Sequence, residues 1–212
     1  MNTKLMKDLL AYAPEFRFWK YKSFDQLFHL VKLNSSDAYS VVNSFNSTMT
    51  SPKGPSYSVQ CVIRVENPFL LAQFHLKRIQ SNDEGRYASV TELFHGTHGK
   101  SVLPICRNNF NWRLTGTAKG TKFGRGISFS PRSDYSKHFT SHFYFNTYPE
   151  LETDGYGRVM FKAKVLKGTS HIGEYFTRVP VEGYDTTTNS KFTVYVKYQD
   201  FEFYPEYILL IK

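Results

Sequence analysis

The sequence predicts a single α+β domain built around a mostly antiparallel sheet. Strand-like segments outnumber helical ones, and long loops connect strands that are not neighbours along the chain. At 212 residues the chain is long enough for one sizeable domain and short for two. Because no repeat, linker or low-complexity segment divides it, we expect one domain, in which residues 1–34 form an N-terminal lead-in to the main body at 35–212.

The composition indicates an aromatic core and an intracellular setting. The 19 Phe and 15 Tyr imply a core packed with rings, and Cys61 and Cys106 are too few for a disulfide framework. The N-terminal residues lack the apolar stretch of a signal peptide, and the longest aliphatic-aromatic run, Tyr207 to Ile211, is too short to span a bilayer. We therefore expect a soluble monomer of the nucleus or cytoplasm, with no membrane contact.

The N-terminal third predicts two helices and a strand. Residues 1–34 suggest a short helix and an extended segment, and Ser35–Asp37 offer N-caps before apolar residues at helical spacing. Two prolines and a glycine in the loop 51–56 end that second helix. Alternating apolar and polar residues then predict a strand from Tyr57 to Val65.

The middle of the chain predicts a helix and two further strands. Asn67 and Pro68 fit the cap and first position of a helix, which a polar loop at 81–87 follows. A short apolar strand then leads to His95. Residues 158–166 alternate again and predict another strand.

The C-terminal part predicts one long loop and two strands. Residues 169–190 contain two glycines and three consecutive threonines, which we interpret as loop. The strands are expected at 191–198 and 203–212, with a tight turn around Asp200 between them.

Positive charge is concentrated in the segment from Leu93 to Phe139. Residues 99–139 hold eight Lys or Arg and one Asp, a net charge of +7 out of +9 for the chain. Glycines punctuate this segment and aromatic residues close it, which suits an anionic ligand with flat rings, such as a nucleotide. A nucleic-acid interface is a weaker interpretation, because the glycines interrupt the charge and no zinc-finger or RNP-type signature is present.

Familiar nucleotide motifs do not fit this segment. A P-loop at Gly99–Ser101 would need another glycine where Phe94 stands. The glycine pair at Gly124–Gly126 precedes a predicted strand, the reverse of the order in a dinucleotide-binding fold. His138 and His142 have helical spacing, but they lack the glutamate of a zinc protease and a third ligand, so we expect no metal.

An ordered set of residues remains. A polar His95-Gly96-Thr97 ends one predicted strand, and Gly124-x-Gly126-x-x-Phe129 enters another. Ser130-Pro131 would begin a helix that carries Ser136 and Phe139 one turn apart on the same face. The chain resembles, through this set, the catalytic domain of the poly(ADP-ribose) polymerase superfamily, in its mono-ADP-ribosyltransferase branch. The segments that carry the resemblance, from about residue 36 to the end, are VVNSFNSTM, VENPFLLAQFHLKR, LFHGTHGKSVLPICRNNFNWR, FGRGISFSPRSDYSKHF, RVMFKAKVLKG and YPEYILLIK.

The resemblance implies a fold and a set of site residues. Members of the family have two packed, mostly antiparallel sheets with flanking helices, bind NAD between the sheets, release nicotinamide and transfer ADP-ribose to protein acceptors. By the resemblance, His95 would bond a ribose hydroxyl, and Gly96 and Ser136 would hold the nicotinamide carboxamide. Phe139 would stack on the nicotinamide ring, and Arg113 would contact pyrophosphate or adenine. The other positions expected to line the NAD cleft are Thr97, Gly126 and Tyr135.

Two positions depart from the family pattern. Ser128 stands where the family usually has a tyrosine, which removes stacking area. Counting back ten residues from Tyr204 places Val194 at the position of the polymerase glutamate, so chain elongation is not expected. The catalytic triad is therefore His95, Ser128 and Val194, which predicts a mono-ADP-ribosyltransferase with weak turnover. The alternative is a catalytically impaired module that binds NAD, ADP-ribose or a partner.

Overall fold

The computed structural model describes residues 3–50, 56–115, 122–145 and 155–212. Its helices are α1 (Thr3–Ala11), α2 (Ser35–Thr48), α3 (Pro68–Asp83), α4 (Val102–Asn108) and α5 (Ser133–Ser136). Its strands are β1 (His29–Lys32), β2 (Val59–Glu66), β3 (Ser89–Gly96), β4 (Ile127–Phe129), β5 (His142–Tyr144), β6 (Tyr156–Lys167), β7 (Ser170–Ile172), β8 (Thr186–Thr188), β9 (Tyr195–Lys197) and β10 (Phe203–Ile211).

The strands form two sheets. The larger sheet has the order β1-β2-β10-β6-β3, with β5 also paired to β6, and all of its pairs are antiparallel. The smaller sheet has the order β4-β9-β8-β7, in which β7 and β8 are parallel. Backbone hydrogen bonds between Phe94 and Ser130, of 2.7 and 2.9 Å, join the end of β3 to the residue after β4. The predicted α+β fold with two mostly antiparallel sheets is confirmed.

An aromatic core connects the two sheets. The ring of Phe110 lies edge-on to those of Phe129, Phe161 and Phe203, with centroids 5.2, 5.5 and 5.5 Å away. These four residues come from both sheets and from the segment after α4, and each is at most 2% exposed. Such edge-to-face pairs add stability beyond the apolar area they bury, typically about 0.5–1.5 kcal/mol each. The core therefore fixes the position of the strand ends around it.

The lead-in is built into the larger sheet. Strand β1 pairs with β2, so that His29 lies opposite Glu66. The buried carboxylate of Glu66 accepts hydrogen bonds from the backbone amides of Lys20 and Tyr21, each at 2.9 Å. These bonds hold the irregular segment before β1 against the sheet.

Helices α2 and α3 are both present as predicted, with differences at one end of each. Helix α3 begins as expected, because the side chain of Asn67 accepts from the amides of the first turn. Helix α2 is present, but its cap is Asn34, not Ser35–Asp37, since the Asn34 side chain accepts from Asp37 N at 2.9 Å. The loop expected at 81–87 starts later, because α3 continues to Asp83. Most of the predicted loop 51–56 lies outside the described residues.

The strand predictions are confirmed for β2, β3, β6 and β10 and wrong for the segment 169–190. That segment contains β7 and β8, and Thr186–Thr188 are fully buried. The Thr187 hydroxyl donates to Phe123 O at 2.6 Å, which allows a polar strand in the interior. The strand expected at 191–198 shrinks to Tyr195–Lys197, because Asn189 Oδ1 accepts from the amides of Thr193 and Val194 and forms a turn.

The helix expected to begin at Ser130-Pro131 is shorter than predicted. Ser130 bonds to Phe94 as an extension of β4, so α5 starts only at Ser133. It ends at Ser136, and a 3-10 turn over Lys137–Phe139 follows. In the parts of the chain described, no helix combines the length and the apolar character needed to cross a membrane.

Candidate active site

His95 lies near the end of β3, beside the aromatic core. Its ring is 4.9 Å from that of Phe110, in a T-shaped arrangement, and 5.6 Å from that of Phe129. Pairing of β3 with β6 sets its register opposite Phe161. The imidazole is thus held between a ring that follows α4 and a ring of the smaller sheet.

A hydrogen bond fixes the tautomer of His95. Its Nδ1 lies 2.9 Å from the carbonyl oxygen of Ser128, and because a carbonyl oxygen can only accept, Nδ1 carries the hydrogen. Burial lowers the pKa of His95 to about 4, and the bond to Ser128 O opposes that shift. The imidazole is therefore neutral at pH 7. Its Nε2 is a hydrogen-bond acceptor that no group in the described ranges occupies.

Gly96 is required by the close approach of α5 and the turn after it. A Cβ atom on Gly96 would lie 2.1 Å from Ser136 O and 3.0 Å from Phe139 Cβ. Ser136 is buried, and its Oγ donates to Phe94 O at 3.2 Å, which fastens the helix to β3. The next residue, Thr97, is buried, and its carbonyl accepts from Ser141 N at 3.1 Å.

Phe139 and Tyr135 form an aromatic pair over this strand end. Their ring centroids are 5.5 Å apart, with planes inclined by 46°. Phe139 is 38% exposed, so part of its ring is available to a flat ligand. Tyr135 is half-buried, and burial raises the pKa of its phenol.

The second sheet supplies Gly126, Ser128 and Val194. Ser128 pairs with Val196, and a Cβ on Gly126 would lie 2.2 Å from Lys197 O, so the glycine loop runs directly against β9. Val194 is 1% exposed and belongs to an apolar cluster with Val196 and Tyr198. Tyr135 packs against the same cluster. Val194 is therefore enclosed by apolar side chains.

Arg113 lies in a 3-10 turn, Trp112–Leu114, that follows Phe110. Its guanidinium donates to both carboxylate oxygens of Asp200, at 3.0 and 2.9 Å, and lies 4.7 Å from the Trp112 ring. A cavity of about 220 Å³ adjoins this ion pair and is lined in part by Phe110 and Phe203. The structure thus groups seven of the ten predicted site residues at the end of β3, namely His95, Gly96, Thr97, Ser128, Tyr135, Ser136 and Phe139. Gly126 and Val194 lie beside β9, and Arg113 is bound to the carboxylate of Asp200.

The two histidines considered as metal ligands do not share a helix. His138 lies in the 3-10 turn after α5, whereas His142 lies in β5 and stacks on Tyr156 at 4.8 Å. Within residues 3–50, 56–115, 122–145 and 155–212, no three His, Cys, Asp or Glu side chains are grouped as metal ligands would be.

Two residues of the site were not predicted. Phe110, which packs on the His95 ring, lies within one of the segments that carry the family resemblance, so that segment was the available signal. Asp200 was predicted only as part of a turn. No local pattern could pair it with Arg113, from which 87 residues separate it along the chain.

Comparison of the sequence with known proteins identifies a family. Residues 35–168 match the poly(ADP-ribose) polymerase catalytic domain family. The mouse protein mono-ADP-ribosyltransferase PARP12 is 33% identical over 188 residues, which cover 83% of this chain and 24% of that protein. Mouse PARP11, also a protein mono-ADP-ribosyltransferase by name, is 29% identical over 221 residues, or 90% of this chain and 62% of that protein. The chain thus spans about a quarter of the length of PARP12. It belongs to the poly(ADP-ribose) polymerase catalytic domain family.

Proposed function

We propose that the protein is a mono-ADP-ribosyltransferase, which transfers ADP-ribose from NAD to protein acceptors and releases nicotinamide. The observation that carries the proposal is the neutral imidazole of His95, which has a fixed orientation. Its Nε2 can accept a hydrogen bond from a ligand at the end of β3, where Ser136 and Phe139 pack against Gly96. Similar chains in mouse and human are named protein mono-ADP-ribosyltransferases.

Each residue at the strand end has a role that its chemistry suits. His95 Nε2 accepts a hydrogen bond from a ribose hydroxyl, which helps to orient the sugar. The backbone of Gly96 and the hydroxyl of Ser136 pair with the nicotinamide carboxamide, since a buried amide needs such partners. The exposed face of Phe139 stacks on the pyridinium, a cation over an aromatic ring.

The transfer step breaks the bond between the ribose C1′ and the nicotinamide nitrogen. The bonding electrons go to the nitrogen, which neutralises the pyridinium, and C1′ gains oxocarbenium character. A carboxylate oxygen of the acceptor, or a thiol sulfur that gives its proton to solvent, then bonds to C1′. We expect the acceptor to be an acidic side chain or a cysteine.

Val194 favours a single transfer over polymer growth. A buried valine offers neither a charge nor a hydrogen bond to activate a ribose hydroxyl of a bound ADP-ribose unit. The product expected is therefore one ADP-ribose unit per modified side chain.

The proposal is tested with labelled NAD and a mixture of acceptor proteins. We expect nicotinamide release together with a mass increase of single ADP-ribose units, and loss of both in His95→Ala. The control His142→Ala, which removes an exposed imidazole from β5, should keep both signals. Absence of nicotinamide release and of adducts from the unaltered protein would contradict the proposal. NAD binding without release would instead indicate the catalytically impaired module.

A further inference from the structure

Tyr135 lies against the apolar cluster that contains Val194. That cluster consists of Val194, Val196 and Tyr198, and the rings of Tyr135 and Phe123 pack on it. By the resemblance, polymerases have a glutamate at the position of Val194. In this chain that position holds a buried valine with the Tyr135 ring packed beside it.

The Tyr135 hydroxyl has no protein partner among the described residues, in contrast to the hydroxyls of Tyr198 and Tyr204. The Tyr198 hydroxyl is hydrogen-bonded to Thr187 Oγ1, and the Tyr204 hydroxyl donates to Val65 O at 2.5 Å. No group in the described stretches of the chain bonds to the hydroxyl of Tyr135, although the residue is half-buried. The hydroxyl is therefore available to bond to a ligand hydroxyl.

The neighbours of Tyr135 place it at the proposed NAD site. Its ring lies 5.5 Å from that of Phe139, whose Cβ approaches Gly96 at the end of β3. His95, the residue before Gly96, presents its Nε2 at the same strand end. A ribose bound by His95 and a nicotinamide stacked on Phe139 would therefore lie within reach of Tyr135.

We propose that the Tyr135 hydroxyl binds the 2′-hydroxyl of the nicotinamide-side ribose of NAD, in place of the glutamate that Val194 replaces. The inference rests on the proposed function and assigns a substrate-binding role within it. A phenol can donate and accept a hydrogen bond, so it can orient the ribose. It stays protonated at neutral pH, so it does not act there as the base that polymer growth needs.

The substitution Tyr135→Phe removes the hydroxyl and keeps the ring. We expect kcat/KM for nicotinamide release to fall by about threefold to tenfold, the usual effect of one lost hydrogen bond. The melting temperature should not change, because the hydroxyl has no protein partner in the described chain. Tyr12→Phe is the matched control, since Tyr12 is 87% exposed at the end of α1 and should leave both quantities unchanged.

A binding experiment separates the hydroxyl contact from general damage to the site. Two non-hydrolysable carba analogues of NAD are compared, one with and one without the 2′-hydroxyl on the nicotinamide side. The unaltered protein should prefer the hydroxylated analogue, and Tyr135→Phe should reduce that preference by about threefold or more. An equal preference in both proteins would overturn the inference and leave the proposed function standing. If the unaltered protein neither releases nicotinamide nor binds either analogue, the proposed function fails, and the inference fails with it.

Discussion

The Nδ1 of His95 donates to the main-chain oxygen of Ser128, at 2.9 Å. This bond joins the end of β3 to the middle of β4, so the orientation of the imidazole depends on both sheets. Because the acceptor is a backbone atom, the orientation of His95 does not depend on which side chain occupies position 128. A change of side chain at position 128 is therefore expected to leave the histidine in place.

Ser128→Tyr should strengthen NAD binding. The substitution restores aromatic area next to the ribose and nicotinamide, and an aromatic contact is typically worth about 0.5–1.5 kcal/mol, or roughly twofold to tenfold in KM. Steady-state measurement of KM for NAD checks the expectation. Ser128→Ala serves as the control and should leave KM unchanged, while an equal KM in the tyrosine variant would show that the cleft has no room for the ring.

Gly96→Ala should destabilise the protein and abolish turnover. The new methyl group would meet Ser136 O at 2.1 Å, so α5 must move off β3. Overpacking of this kind typically costs about 1–3 kcal/mol. Gly85→Ala is the control. A Cβ on Gly85 would meet no atom, but its φ of +72° is strained for alanine. The control should therefore lose about 1–2 kcal/mol of stability and keep its turnover. Retained activity in Gly96→Ala would contradict the packing described for the site.

The low pKa of His95 predicts an acid-sensitive contribution to stability. The folded value is about 4 and the ordinary value is 6.5, so the unfolded chain binds the proton first as the pH falls. The contribution of neutral His95 to the free energy of unfolding is therefore fully present above pH 6.5. It declines towards pH 4, by a total on the order of 3 kcal/mol. Denaturant unfolding of the protein and of His95→Gln between pH 7 and pH 4 measures the difference. A difference that stays constant over this range would contradict the lowered pKa.

Val194→Glu should not create a polymerase. The carboxylate would enter a cluster in which Val194 is 1% exposed, and burial of an unpaired charge costs several kcal/mol. We expect a lower melting temperature and no ladder of ADP-ribose units on gels. Val194→Ile keeps the apolar character and should retain single transfer. Long products from the glutamate variant would show that the cluster is wetter than its packing indicates.

Asp200→Asn should increase the affinity for NAD by a few-fold. The change weakens the ion pair that holds Arg113, whose guanidinium then becomes available to the pyrophosphate or adenine that we expect it to contact. The Arg113 side chain is largely exposed and that of Asp200 is partly exposed, so the stability of the fold should change by less than about 1 kcal/mol. Titration with the carba analogue of NAD checks the affinity. Glu84→Gln, which breaks another exposed ion pair, should have no effect on it.

Local signals made part of the structure predictable. The start of α3 needs only Asn67 and the proline after it, and the sequence carries both. Strand β8 could not be predicted in this way, because Thr187 is stabilised inside the protein by a carbonyl acceptor on Phe123, distant along the chain. The same distinction applies at the site. The sequence predicts Val194 as a site residue from its spacing to Tyr204. Its contact with Tyr135 could not be predicted, because it depends on packing between separate elements.

The attachment of the lead-in to the sheet has a practical consequence. The matched family region begins at residue 35, yet β1 lies before it and covers one edge of β2. A fragment that starts at residue 35 would expose the backbone N–H and C=O groups along that edge, next to the buried side chains of Val62 and Ile63. An open, apolar strand edge is a template for pairing with another copy of the chain. Such a fragment is therefore expected to aggregate by strand addition, even though every proposed NAD-binding residue would still be present.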